Sequence, residues 1–140
     1  MRWGRLLFVV ILIGSIGFGL YRCAAEAQRT EMGSQKSPMA TVRSAIQDFE
    51  LRDPAMVTRY FTPIPASIMR IRLEETFQWL DKLDIQDLDV WIVSNDGLAA
   101  RIQARYNMIM TQDQYIDSQR CNKQIKLVKL EGKWFINEAF

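Results

Sequence analysis

The chain has 140 residues, a net charge of +2 and a hydrophobic fraction of 49%. That suits one folded unit with one core, and it excludes general disorder and a strongly basic nucleic-acid surface. Histidine is absent, which excludes Ser-His-Asp and Cys-His catalysis and every histidine-based metal site. The cysteines, Cys23 and Cys121, are far apart and form no CxxC pair, too few for structural zinc. No metal, no cofactor and no nucleic-acid partner is therefore expected. A Cys23–Cys121 disulfide would require Cys23 to stay on the mature chain and reach its partner. The favoured reading is a free Cys23 at a membrane boundary and a buried or partly buried Cys121.

Arg2 and Arg5 precede an uncharged run from Leu6 to Tyr21. As a helix this run spans about 24 Å, short of a hydrocarbon core of about 30 Å, with Trp3 and Tyr21 placed for the two interfaces. Residues 1–23 thus read as a transmembrane anchor or as a signal peptide. Ala25-Glu26-Ala27 offers a cleavage pattern for the second reading. Lipidation at Cys23 is disfavoured by Arg22, which stands where a small residue is needed. In either reading the basic residues stay inside and the rest of the chain is exported. The expected location is the cytoplasmic membrane, single-pass, with the C-terminal domain outside the cytoplasm. The alternative is a secreted or periplasmic protein. Residues 24–36 are polar and small, with Gly33-Ser34, and read as a linker.

Ser37-Pro38 is a helix start, followed by an apolar stripe of Val42, Ala45, Ile46 and Phe49. Asp53-Pro54 ends that helix and caps a short second one that buries Met56, Val57, Tyr60 and Phe61. Thr62-Pro63-Ile64-Pro65 breaks the chain. A third helix is predicted over about Ala66 to Lys82, with Met69, Leu73, Phe77 and Leu80 on one face and Ile68, Ile71 and Trp79 widening it. After Asp84 the period changes to two: Leu88, Val90 and Ile92 alternate with Asp87, Asp89 and Trp91. Asn95-Asp96-Gly97 is a hairpin turn signal. The next strand puts Ala100, Ile102, Ala104, Tyr106, Met108 and Met110 on one face and Arg101, Gln103, Arg105 and Asn107 on the other. A loop over Gln112–Asp117 leads to a third strand, about Ser118 to Leu130. Glu131-Gly132 turns the chain into a last strand, Lys133 to Ala139. Trp134 is expected to lie buried beneath the helices, near Phe49 and Leu73. Antiparallel strands with one polar face need helices on the other, so the class is α+β, with three helices packed on a four-stranded sheet behind one hydrophobic helix.

Two segments carry a family resemblance: Phe49-Glu50-Leu51-Arg52-Asp53-Pro54 with Tyr60-Phe61, and the ending Leu127-Val128-Lys129-Leu130-Glu131-Gly132-Lys133-Trp134-Phe135-Ile136. With their order, residues 37–140 resemble the nuclear-transport-factor-2-like superfamily, also described as a cystatin-like α+β cone. The resemblance implies a curved sheet wrapped around helices. It does not fix function, because the fold hosts enzymes, ligand pockets and interaction modules.

Members that are isomerases or hydrolases imply a carboxylate base with a tyrosine or acid donor, for which Tyr60, Tyr106, Asp87 and Asp89 are candidates. Asp87 and Asp89 stand opposite the apolar face of their strand, which favours a solvated strand start. Tyr60, Trp79, Trp91, Tyr106, Met108 and Met110 are large, soft side chains suited to lining a ligand pocket, or to filling a small core. Arg101, Gln103 and Arg105 form a polar stripe suited to an interface. Sheet-face pairing into homodimers is what the resemblance implies for that stripe. The leading reading is a non-enzymatic binding or assembly module on the outer face of the cytoplasmic membrane. The alternatives are an exported isomerase- or hydrolase-type enzyme and a small-ligand carrier.

Overall fold

The computed structural model describes residues 35–140. The N-terminal apolar run, nearly all of the linker and Cys23 lie outside the described residues. No described helix is long and apolar enough to cross a membrane.

Helix α1, Pro38–Gln47, opens as its sequence dictates: the Ser37 hydroxyl accepts from the Ala40 N–H at 3.1 Å, and Pro38 fills the first turn. Its inner stripe of Val42, Ala45 and Ile46 is fully buried. A 3₁₀ turn, Asp48–Leu51, tucks Phe49 inward and ends on Arg52 in the left-handed region, with φ 51°. The short α2, Pro54–Thr58, is capped by the Asp53 carboxylate, which accepts from the Ala55 N–H at 2.9 Å.

Helix α3, Pro63–Phe77, starts three residues earlier than the expected Ala66. Both prolines sit in its first turn, where no amide hydrogen is needed, so they initiate the helix instead of breaking the chain. It also ends short of the expected Lys82. The Asp81 N–H donates to the Thr111 carbonyl at 2.8 Å, and the Arg52 guanidinium donates to the Leu80 carbonyl. These bonds take the chain out of the helix, and Lys82 becomes the first residue of the sheet. Met69, Leu73 and Phe77 form a narrow buried stripe, whereas Ile68, Ile71 and Trp79 are exposed.

Strands β1 (Lys82–Asn95), β2 (Ala99–Gln112), β3 (Tyr115–Leu130) and β4 (Lys133–Ile136) form one antiparallel sheet in sequence order. The register of β1 shifts between Gln86 and Asp89, where Asp87 takes a φ of 53°, and again between Ile92 and Ser94. Such bulges bend a strand and sharpen its twist, which curves this sheet around the helices. At the edge of the second shift Ile92 is half-exposed although it alternates with buried Val90. The expected loop over Gln112–Asp117 is a two-residue turn, with Gln112 paired to Tyr115. Asp113 adopts a φ of 53°, and its N–H donates to the Asp81 carboxylate at 2.6 Å. An aspartate that tolerates this conformation makes a glycine unnecessary. The last strand stops at Ile136 and not at Ala139.

The core lies between the helices and the concave sheet face. Ala100, Ile102, Ala104 and Tyr106 of β2 are buried there, opposite Leu127, Ile125, Lys123 and Cys121 of β3. Strand β4 is tied back to the helical layer: the Ile136 N–H donates to the Tyr60 carbonyl at 2.7 Å, and the Thr62 N–H to the Ile136 carbonyl at 2.9 Å. Trp134 is buried, and its N–H donates to the Gln35 carbonyl at 2.9 Å. Phe49 meets the ring of Phe140, centroids 6.4 Å apart.

Candidate functional site

A cavity of about 260 Å³ opens between α3 and the concave face of β1–β3. Its helical wall includes Leu73 and Phe77, and its sheet wall includes Leu83 and Met108. Tyr106 and Cys121 face each other in direct register and both are buried. Burial raises the Tyr106 phenol well above its ordinary value, and the neighbouring Cys121 thiol adds to the rise, so the hydroxyl keeps its proton. Cys121 is a free thiol.

Among the described residues the charged members of the lining are Arg72 from α3 and Lys123 from β3, with no aspartate or glutamate. Both are exposed residues, and neither has an ion-pair partner among the described residues. Lys123 shares the inner face of β3 with Cys121, Ile125 and Leu127, all buried. It stands across the ladder from Ala104, whose small side chain leaves space beside it.

The structure separates the residues singled out from sequence. Tyr106 and Met108 line this cavity. Met110 lies further along the same strand, partly buried against the core. Tyr60 is buried elsewhere: its hydroxyl donates to Asp48 Oδ2 at 3.0 Å and accepts from Arg59 Nη2 at 2.7 Å, with Arg59 and Asp48 paired at 3.1 Å. Trp79, 64% exposed beyond the end of α3, does not line the cavity, because the helix ends before its ring could turn inward. Trp91 is also outside it, on the convex face of β1 with the Arg105 guanidinium 5.8 Å from its ring centre.

Arg101, Gln103 and Arg105 share the convex face. Arg105 pairs with Asp89 at 3.2 Å, Gln103 donates to Asn122 Oδ1, and Arg101 stands across from Lys126. Asp87 accepts from Asn107 Nδ2 at 2.9 Å, and neither Asp87 nor Asp89 lines the cavity. A wider hollow, about 490 Å³, runs along the β1–β2 hairpin end beside Arg101 and Lys126, walled by strand ends and not by packed helix and sheet. No cluster suited to a metal ion occurs among the described residues.

Sequence reasoning did not single out Arg72, and it counted Lys123 only as added positive charge on the third strand, with no side assigned. Carrying the period of two back from Ile125 places Lys123 inward. The spacing of three and four from Met69 and Thr76 places Arg72 at the edge of the buried stripe.

No family model matches the chain, and no curated protein matches it in sequence. Solved structures do match. A candidate aromatic ring hydroxylase from Novosphingobium aromaticivorans aligns over 71% of this chain and 83% of its own, at 10% identity and a TM-score of 0.61. A ketosteroid isomerase-like protein from Erwinia carotovora atroseptica aligns over 69% and 85%, at 12% identity and 0.57. A candidate scytalone dehydratase from Novosphingobium aromaticivorans aligns over 80% and 83%, at 12% identity and 0.53. At such identities the likeness concerns the fold alone. The three helices laid in the hollow of this chain's curved, antiparallel four-stranded sheet match these neighbours in the nuclear-transport-factor-2-like fold.

Proposed function

We propose that the chain is a non-enzymatic binding module, held on the outer face of the cytoplasmic membrane by residues 1–23, with the cone as its binding element. The observation that carries this reading is the cavity lining: apolar walls, a protonated phenol and two cations, without a carboxylate among the described residues. Acid–base isomerisation or dehydration needs a base within hydrogen-bond reach of the substrate. Asp87 and Asp89, the carboxylates weighed for that role, are engaged on the convex face. The location rests on Arg2 and Arg5 ahead of the apolar run.

Native mass spectrometry of the full chain, taken from its own membrane into lipid nanodiscs, tests the binding role. A small molecule recovered unchanged, and lost in Met108→Trp, is the expected result. A chain that carries nothing, or that converts what it carries, counts against it. A reporter fused after Phe140 tests the location: activity in the cytoplasm would refute it.

A second reading concerns the convex face, where Trp91 stays 40% exposed and Arg101 has no ion-pair partner among the described residues. These features support self-association of two copies through the sheet. Analytical ultracentrifugation of Trp91→Ser against the parent chain tests it, and identical masses for both would remove the reading.

A further inference from the structure

We infer that the cone takes an amphipathic anion, an apolar body ending in a single carboxylate or sulfonate, with Arg72 and Lys123 holding the head. This inference rests on the binding reading above and adds the class of ligand.

The interior sets the body. Leu73, Phe77, Leu83 and Met108 present only apolar surface, and a charge placed among them would be left unpaired at a cost of several kcal/mol. The volume of about 260 Å³ falls just below the range of about 300–1,000 Å³ usual for drug-sized ligands. The body is therefore short and holds no second charge.

The mouth sets the head. Arg72 comes from the helical wall and Lys123 from the sheet wall. Two like charges in the lining of one cavity repel each other, and an anion between them offsets that repulsion. Among the described residues Arg59, Arg70, Lys82 and Arg105 pair with carboxylates, whereas Arg72 and Lys123, like Arg101, do not. Lys123 is also placed against the normal rule for a strand, on the concave face between buried Cys121 and Ile125. It is nonetheless an exposed residue, as expected of a long side chain that packs its stem on apolar surface and keeps its ammonium in water. Ala104 opposite it gives the stem room, where a larger residue would fill the wall.

The experiment follows methionine methyl resonances of the full chain in zwitterionic nanodiscs during titration with octanoate, octanol or octylamine. Met69 and Met108 line the cavity and Met110 does not, so a cavity ligand moves the first two selectively and lipid partitioning does not. The expected result is selective movement with octanoate at an affinity about tenfold or more above octylamine, and a loss of about tenfold for octanoate in Arg72→Gln/Lys123→Gln. Both positions are exposed, so the doubly substituted chain should keep its spectrum otherwise. Equal affinity for octanoate and octanol, unchanged in the double variant, would overturn the anion inference and leave the binding reading intact. Preference for octylamine would overturn it as well. If no probe moves Met69 or Met108, both the inference and the cone as binding element fall.

Discussion

Lys123 stands directly across the β2–β3 ladder from Ala104, on the face that otherwise builds the core. A lysine there contributes little to packing and adds a positive charge to the cavity lining. Replacing it with methionine keeps the stem's bulk and removes the charge. Lys123→Met should therefore stabilise the domain by about 0.5–1 kcal/mol, a rise in Tm of roughly 2–6 °C. Calorimetry checks this. A lower Tm would show that the ammonium has a structural partner and is not held in place for a ligand.

Tyr106 makes stability depend on alkaline pH. Burial, with help from the Cys121 thiol, raises its phenol above the ordinary 10.0 in the folded chain. A raised folded-state value means that the unfolded chain loses this proton first. The contribution is fully present below pH 10.0 and is lost as pH rises from there toward the folded value. Tyr60 is also raised, by burial first, and acts in the same direction. Tyr106→Phe should make the fall in Tm between about pH 9 and about pH 11 shallower than in the parent. An unchanged slope would assign the effect to Tyr60.

The fold was legible where the sequence carries local instructions. Ser37-Pro38 and Asp53-Pro54 cap helices through their own side chains, and the alternation from Ala100 to Met108 names the concave face of β2 residue by residue. What escaped depends on contacts between distant segments. Leu80 continues the spacing of α3, yet the Thr111 carbonyl and Arg52, each about thirty residues away, pull the chain out of the helix. Trp79 and Trp91 are bulky and apolar, but bulk does not say which face a residue takes. Tyr60 is buried, but its hydroxyl serves the Arg59–Asp48 pair. The two cations of the cavity were hidden for a different reason: each is an unremarkable surface residue until helix and sheet are brought together.

The β3–β4 turn offers a cleaner test of local chemistry. Glu131 and Gly132 both have positive φ, 49° and 79°, which is the pattern of a type I′ hairpin. Glycine accepts this readily, whereas glutamate is strained there. Asparagine is the preferred first residue of such a turn, so Glu131→Asn should stabilise by about 0.5–1 kcal/mol. Gly132→Ala should destabilise by about 1 kcal/mol although a Cβ there would meet nothing within 4 Å, because the penalty is conformational. Denaturant midpoints of the two variants should move in opposite directions. Movement in the same direction would mean that Glu131 holds a contact worth more than its strain.

Trp134 and Trp79 share a side chain and differ in everything around it. Trp134 is 3% exposed and Trp79 is 64% exposed. The backbone of Trp134 is held at both ends: its N–H donates to the Gln35 carbonyl, and its own carbonyl accepts from Gln35 Nε2 at 3.3 Å and Thr41 Oγ1 at 3.5 Å. The Lys129 ammonium lies 5.9 Å from its ring centre. The type I′ turn fixes the register, so the ring has no alternative face to occupy. Trp134→Ala should cost about 3–5 kcal/mol, a large part of the roughly 5–15 kcal/mol that holds a domain of this kind together. Trp79→Ala removes a ring that is mostly in water, and should stay within about 0.5 kcal/mol of the parent. Trp134→Phe keeps most of the buried surface and should fall between the two. Equilibrium denaturation of all three under one condition makes the comparison. If Trp79→Ala proves as costly as Trp134→Ala, then a surface not covered within residues 35–140 is covered in the full chain, and Trp79 belongs to an interface.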